Sequence, residues 1–175
     1  MKKQILITAF LVAGLMTGCK QNPASSNEED ASIQGDNYTL FTSENRFGAL
    51  QENRSDEVSE PFELVDVIRT DENGLNYLQI KITHQTCYPE PQIIWNGAVA
   101  ESAPPQVFLF VQLQAEDKCP AGEEADKKTE VFKLNLHGLL GDEYTAKNAV
   151  IKVLNASNAH EDNDHYDEPV SSNGQ

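Results

Sequence analysis

Three cysteines, four histidines and one tryptophan carry most of the reactive or ligand-binding chemistry this chain offers, and their spacing narrows that chemistry. Cys87 and Cys119 make an even pair, and two thiols in an exported chain join by default as a disulfide. Closing the loop of about 33 residues between them would stabilise the fold by roughly 3 to 4 kcal/mol through lost unfolded-state entropy. A sharper alternative uses the same thiols. His84 lies three residues before Cys87, and with Cys119 and His137 the four side chains would complete a Cys2His2 zinc set. A cationic His84 would also be the neighbour that activates a nucleophilic or redox thiol. Neither cysteine belongs to a Cys-x-x-Cys knuckle, so the disulfide is the first expectation and no metal site is assigned.

Trp95 and Tyr88 supply flat apolar surfaces on which a sugar or a cationic group can stack. A single tryptophan in a small sandwich also packs into the core, often against a disulfide. Both roles stay open for Trp95. Phe108 and Phe110 share one strand face with Gln112 and Gln114, a mixed face with room for partial exposure. His160 and His165 bracket several carboxylates in the C-terminal segment, but the glycine and terminal glutamate of a calcium loop are missing. Both methionines precede Gly18, which leaves no thioether for a copper(I) site downstream. The chain has no Gly-x-Ser-x-Gly elbow, no His-Glu-x-x-His and no phosphate-binding glycine loop. A non-enzyme without cofactor is therefore expected.

Cys19 differs from the other two cysteines in what precedes it. Lys2 and Lys3 open a leader whose apolar run, Ile5 to Met16, ends in Thr17-Gly18-Cys19. About a dozen apolar residues fall short of the roughly 20 needed to span a bilayer, so the segment reads as a signal peptide rather than a permanent anchor. A cysteine directly after a small residue at the cut resembles the lipobox of bacterial lipoproteins. That resemblance implies cleavage between Gly18 and Cys19 and a diacylglyceryl group on the Cys19 sulfur, with the bilayer as first partner. Two or three acyl chains, at about 0.8 kcal/mol per buried methylene, make a permanent anchor. Lys20 stands where enterobacterial lipoproteins retained at the inner membrane carry Asp, so the resemblance favours the outer membrane of a cell envelope.

The formal charge is −15, and losing Lys2 and Lys3 with the leader makes it −17. A surface this acidic repels phosphate backbones and excludes nucleic acid as a partner.

The elements that must position these residues read as strands. Residues 19–36 are polar and acidic, a disordered tether following the signal peptide of residues 1–18. Tyr38, Leu40 and Phe41 suggest a short edge strand, and Asn45 to Glu60 a polar loop. From Pro61 the pattern sharpens. Phe62 to Thr70 is rich in β-branched and aromatic residues, Asn73-Gly74 is a hairpin turn, and Leu75 to Thr83 alternates cleanly. Gln92 to Trp95, Val107 to Gln114, Glu130 to Leu136 and Ala149 to Leu154 supply further strands, with one short helical turn between Leu139 and Ala146. The expectation is an all-β fold, an antiparallel immunoglobulin-like β-sandwich over residues 37–156 with its core at about 61–156. Residues 157–175 form an acidic disordered tail.

The strand ending at Cys87, the Ile93-Ile94-Trp95-Asn96-Gly97 segment, the Pro104-Pro105 entry to a long strand, and Cys119 together resemble the NigD-like β-sandwich lipoproteins over residues 75–154. That resemblance implies a bridged sandwich and no activity. The functional expectation is a non-enzymatic envelope lipoprotein that contacts another envelope protein or component. A small-ligand or glycan module at Trp95 and Tyr88 is the alternative, and a metal or redox protein at Cys87 and Cys119 the third.

Overall fold

The computed structural model describes residues 30–86, 90–114 and 126–158, with the backbone of 169–170. The leader with Cys19, the pair Cys87 and Cys119, Tyr88, His160 and His165 all lie outside the described residues. The elements run β1 (Ala31–Gln34), β2 (Thr39–Thr42), α1 (Glu44–Glu52), β3 (Glu63–Glu72), β4 (Leu75–Gln85), β5 (Gln92–Trp95) and β6 (Gln106–Gln112). They continue with β7 (Lys127–Asn135), α2 (Leu136–Leu140), α3 (Glu143–Asn148), β8 (Val150–Asn155) and β9 (Pro169–Val170).

Two sheets enclose one core, as a mostly-β sandwich requires. The larger has the order β1-β2-β5-β6-β8-β9 and the smaller β3-β4-β7. Alternation sets which side chains meet. Leu78, Ile80 and Ile82 of β4 and Phe132 and Leu134 of β7 point from the small sheet onto Ile93, Leu109, Val111, Ile151 and Val153 of the large one. Asn73 and Gly74 both take positive φ, 55° and 81°, which is what a two-residue hairpin between β3 and β4 demands. Leu136 of α2 and Ala146 and Ala149 around α3 close one end of the same core.

Three expectations are corrected. The large sheet is not antiparallel throughout: β2 pairs parallel with β5, and β6 parallel with β8. Parallel neighbours need a crossover, usually a helix. Here the chain crosses through the small sheet, by β3 and β4 in the first case and β7 in the second. A six-plus-three mixed arrangement is not the immunoglobulin order of antiparallel sheets. Next, the tether expected over 19–36 is interrupted by β1, which pairs from Ala31↔Thr42 to Gln34↔Thr39. That makes β2 an interior strand rather than an edge. The hairpin joining them is tight: a Cβ on Gly35 would lie 2.3 Å from the Tyr38 ring. Finally, the tail is not disordered throughout, because Ser157 is buried against Asn155 and β9 pairs with β8 at Ile151 and Lys152.

One segment read as loop is helical, and a second holds more helix than expected. α1 occupies part of the Asn45–Glu60 stretch, started by the Ser43 hydroxyl, which accepts from the Arg46 amide at 3.2 Å. The single turn expected between Leu139 and Ala146 is instead α2 and α3, separated by Gly141 at φ 79°.

Candidate binding groove

α1 governs the outer face of the large sheet. Its apolar residues Phe47 and Leu50, three apart on one side, land on Ile94, Phe110 and Leu154 as a second core. The Phe47 and Phe110 rings meet edge to face at 5.0 Å. Arg46 fixes the helix on one flank. Its guanidinium lies 4.2 Å over the Phe41 ring and donates to the side-chain oxygens of Gln92 and of Gln112, the latter at 3.1 Å. Gln112 in turn donates to the Val58 carbonyl at 2.6 Å. Burial lowers the Arg46 pKa, and Asp30 partly opposes this.

Nine residues of helix cannot cover six strands. On the other flank of α1 a groove of about 410 Å³ stays open. Its floor is Phe47, Phe108 and Leu154, and one wall is the loop through Asn96, Ala98 and Ala100. Gln51, Arg54 and Lys152 complete the rim. Lys152 rises from the sheet because it alternates with Ile151 and Val153, which face the inner core. The Arg54 guanidinium sits 5.1 Å from the Phe110 ring centre. Among the described residues that line the groove there is no aspartate or glutamate.

The residues singled out by sequence fall elsewhere. Trp95 is half-buried on the inner face, packed against the main core, with its indole N–H donating to the Ala98 carbonyl at 3.1 Å. It is therefore no part of the groove, although the loop that follows it is. The mixed face of β6 divides: Phe110 is fully buried beneath α1, whereas Phe108 is half-buried in the groove. Lys152 and Arg54 were not singled out, since a lysine in an alternating strand reads as ordinary solvent-facing charge. The Phe108 stripe was the one signal that pointed here.

The zinc set is not assembled. His84 and His137 lie at opposite ends of β7: His84 is opposite Lys128, while His137 follows Asn135 in α2. Seven residues at about 3.3 Å put those ends roughly 23 Å apart. His84 is also committed. Its Nδ1 faces the Gln85 carbonyl at 2.9 Å and its Nε2 the Glu130 carboxylate at 3.0 Å. Both ring nitrogens are thus turned toward protein oxygens, and neither is directed at a metal. Among the described residues no group of three or more His, Cys, Asp and Glu is placed to hold a metal ion.

Glu130 also accepts from Lys128 at 2.8 Å. Desolvation raises its pKa, but hydrogen bonds from Lys128 and His84 outweigh this and hold it below the usual carboxylate value. A lowered carboxylate pKa contributes stability that is present above the ordinary value and lost as pH falls through the folded one. Glu130→Gln should therefore narrow the difference in urea-unfolding free energy between pH 7 and pH 3, by about 1 kcal/mol or less for a partly exposed pair. An unchanged difference would show that the pair does not act as described.

Comparison with family models, with characterised proteins and with solved structures gives no match. Among the described residues no helix is long and apolar enough to cross a membrane.

Proposed function

We propose that this chain is a lipid-anchored cell-envelope binding module without catalytic function, and that the groove beside α1 is where it binds. The observation that carries the reading is the groove itself. An aromatic and aliphatic floor with a few polar rim groups is the usual make-up of a ligand site. The location comes from the leader. A signal peptide ending Thr17-Gly18 with Cys19 directly after the cut supports a diacylglyceryl group on Cys19, and Lys20 favours the outer membrane. The NigD-like resemblance belongs with this reading, since it too implies an envelope sandwich without activity. The net charge keeps nucleic acid away.

A disulfide between Cys87 and Cys119 is part of the proposal. Two observations support it. The Thr86 amide donates to the Asp126 carbonyl at 2.8 Å, so the chain enters residue 87 beside the end of the segment that contains Cys119. Gln112 pairs with Gln92, so that segment leaves β6 where β5 begins, just after residue 89.

The test is a photo-crosslinking amino acid at Gln51, on the groove rim, in cells making the full chain. Lys81 on the outer face of the small sheet is the control position. Light-dependent adducts at 51 and not at 81, on a protein whose Cys19 carries diacylglycerol by mass spectrometry, are expected. Equal labelling at both positions would refute the groove, and an unmodified Cys19 would refute the anchor.

A further inference from the structure

Beyond the groove, we infer that the free side of β1 takes an extended, cationic segment of another protein as an added strand. The two open sheets have four outer strands, β1, β9, β3 and β7. Exposed margins of this kind invite pairing unless something guards them. On β7 the guard is a pair of side chains: Asn37 donates to the Val131 carbonyl at 3.2 Å and Tyr38 to that of Lys133 at 3.3 Å. β3 is bulged between Leu64 and Asp66, and β9 has only two residues, one of them Pro169. β1 has none of these guards. It contains no proline and no charge, keeps unbroken register with β2, and is exposed along its whole length.

The main chain sets what is on offer. Gly35 donates to the Tyr38 carbonyl at 2.8 Å, so by alternation along the ladder Ala31 and Ile33 turn their polar groups to β2, and Ser32 and Gln34 turn theirs outward. Among the described residues nothing bonds those outward groups. The Gln34 side chain holds the strand in place, donating to the Tyr38 carbonyl and the Glu90 carboxylate and accepting from the Thr39 hydroxyl at 2.8 Å. Ile33 stands opposite Leu40 of the main core yet is 57% exposed. An incoming strand gains main-chain bonds at Ser32 and Gln34 and covers Ile33 with an apolar side chain. Charge selects the occupant. From Gln21 to Asn45 the sequence has no Lys, Arg or His, but it has Glu28, Glu29, Asp30, Asp36 and Glu44. Asp30 is felt by Arg46, but among the described residues none of Asp30, Asp36 and Glu90 is within ion-pair distance of a cation. A second copy would set the same acids against these, with a formal charge of −15 on each chain. A segment with Lys or Arg at its ends is attracted instead.

The probe is the peptide acetyl-Lys-Thr-Val-Thr-Val-Thr-Lys-amide, titrated into the full chain and followed by amide shifts. It should move the amides of Ser32 and Gln34 and leave those of Ala98 and Ala100, in the groove wall, unchanged. A twin with Glu in place of both Lys should bind roughly tenfold more weakly at low salt, the order for exchanging two exposed ion pairs for two repulsions. Ser32→Pro deletes an outward N–H, which an edge strand tolerates because that group serves no ladder bond. It should weaken the lysine peptide about tenfold, while its melting temperature stays near the parent value. Ser32→Ala, which loses only the hydroxyl, should bind as the parent does. The shift map of the parent chain tests the site even if the proline variant does not fold. No binding of the lysine peptide, equal affinity for the two peptides, shifts that miss β1, or undiminished binding by a folded Ser32→Pro each overturns the inference. So does a parent dimer in sedimentation that Ser32→Pro splits, which would give the edge to a second copy. β2 and β5 separate this margin from β6 and β8, so the crosslinking result at Gln51 does not bear on it.

Discussion

Phe110→Ala should destabilise the fold by about 3 to 5 kcal/mol, the cost of emptying a fully buried phenylalanine site. Phe110 has no solvent exposure and holds α1 to the large sheet, with the Phe47 ring at 5.0 Å and the Arg54 guanidinium at 5.1 Å. Removing the ring leaves a cavity between a helix and a sheet, and neither can collapse into it without losing the other contacts of Phe47 and Leu50. A fall in Tm of roughly 10 to 20 °C follows for a domain of this size. Phe108→Ala is the informative companion. That ring already lines an open groove, so its loss creates little new cavity, and a cost of about 1 kcal/mol is expected. Urea unfolding of the two variants side by side would sink this account if their losses were equal.

The contrast also marks the limit of what the sequence encodes locally. Alternation places Phe108 and Phe110 on one face, and so it does, but alternation is blind to what covers that face. α1 was not legible because Phe47 and Leu50 are almost its whole apolar content; the Ser43 cap and the acidic Glu44 were the only local marks. β1 was hidden for a related reason. Ala31–Gln34 is exposed along its length and buries nothing that would give it a period. The strands β4 and β7 were legible because each buries one alternating face, β3, β6 and β8 through their β-branched and aromatic content, and Asn73-Gly74 because only residues tolerant of positive φ suit that turn. Parallel pairing was not, since a strand's pattern says which side is buried and not which neighbour it finds. The candidate groove was the least legible part. Lys152 gains meaning only when β8 lies beside β6 and α1 leaves part of both uncovered, a juxtaposition of residues 47, 108 and 152 that no local window contains.

The second large effect is expected at Arg69, where the two sheets are tied across their margin. β3 is an edge of the small sheet, and Arg69 reaches from it to the carbonyls of Lys147 and Ala149, both at 2.7 Å. Those carbonyls lie at the end of α3 and the entry to β8, where a helix leaves its last acceptors unpaired and carries partial negative charge. The guanidinium therefore meets both needs at once. Opposing terms set the magnitude. Each charge-assisted bond is worth about 1.5 to 3 kcal/mol. Against this, burial lowers the Arg69 pKa, and its Nε is buried without a partner, so the cation is already disfavoured there. Arg69→Met removes the bonds and the burial cost together, and a net loss of about 2 to 3 kcal/mol is expected. Arg69→Lys keeps the charge but cannot span both carbonyls, so it should fall between parent and methionine variant. Amide exchange discriminates this clamp from generic packing. In Arg69→Met the amides of Ala146 and Ala149, bonded to the Asp142 and Thr145 carbonyls, should lose protection before those of β4. If the methionine variant is within about 0.5 kcal/mol of the parent, burial cost cancels the bonds, and the margin of the sandwich is held by apolar contact alone.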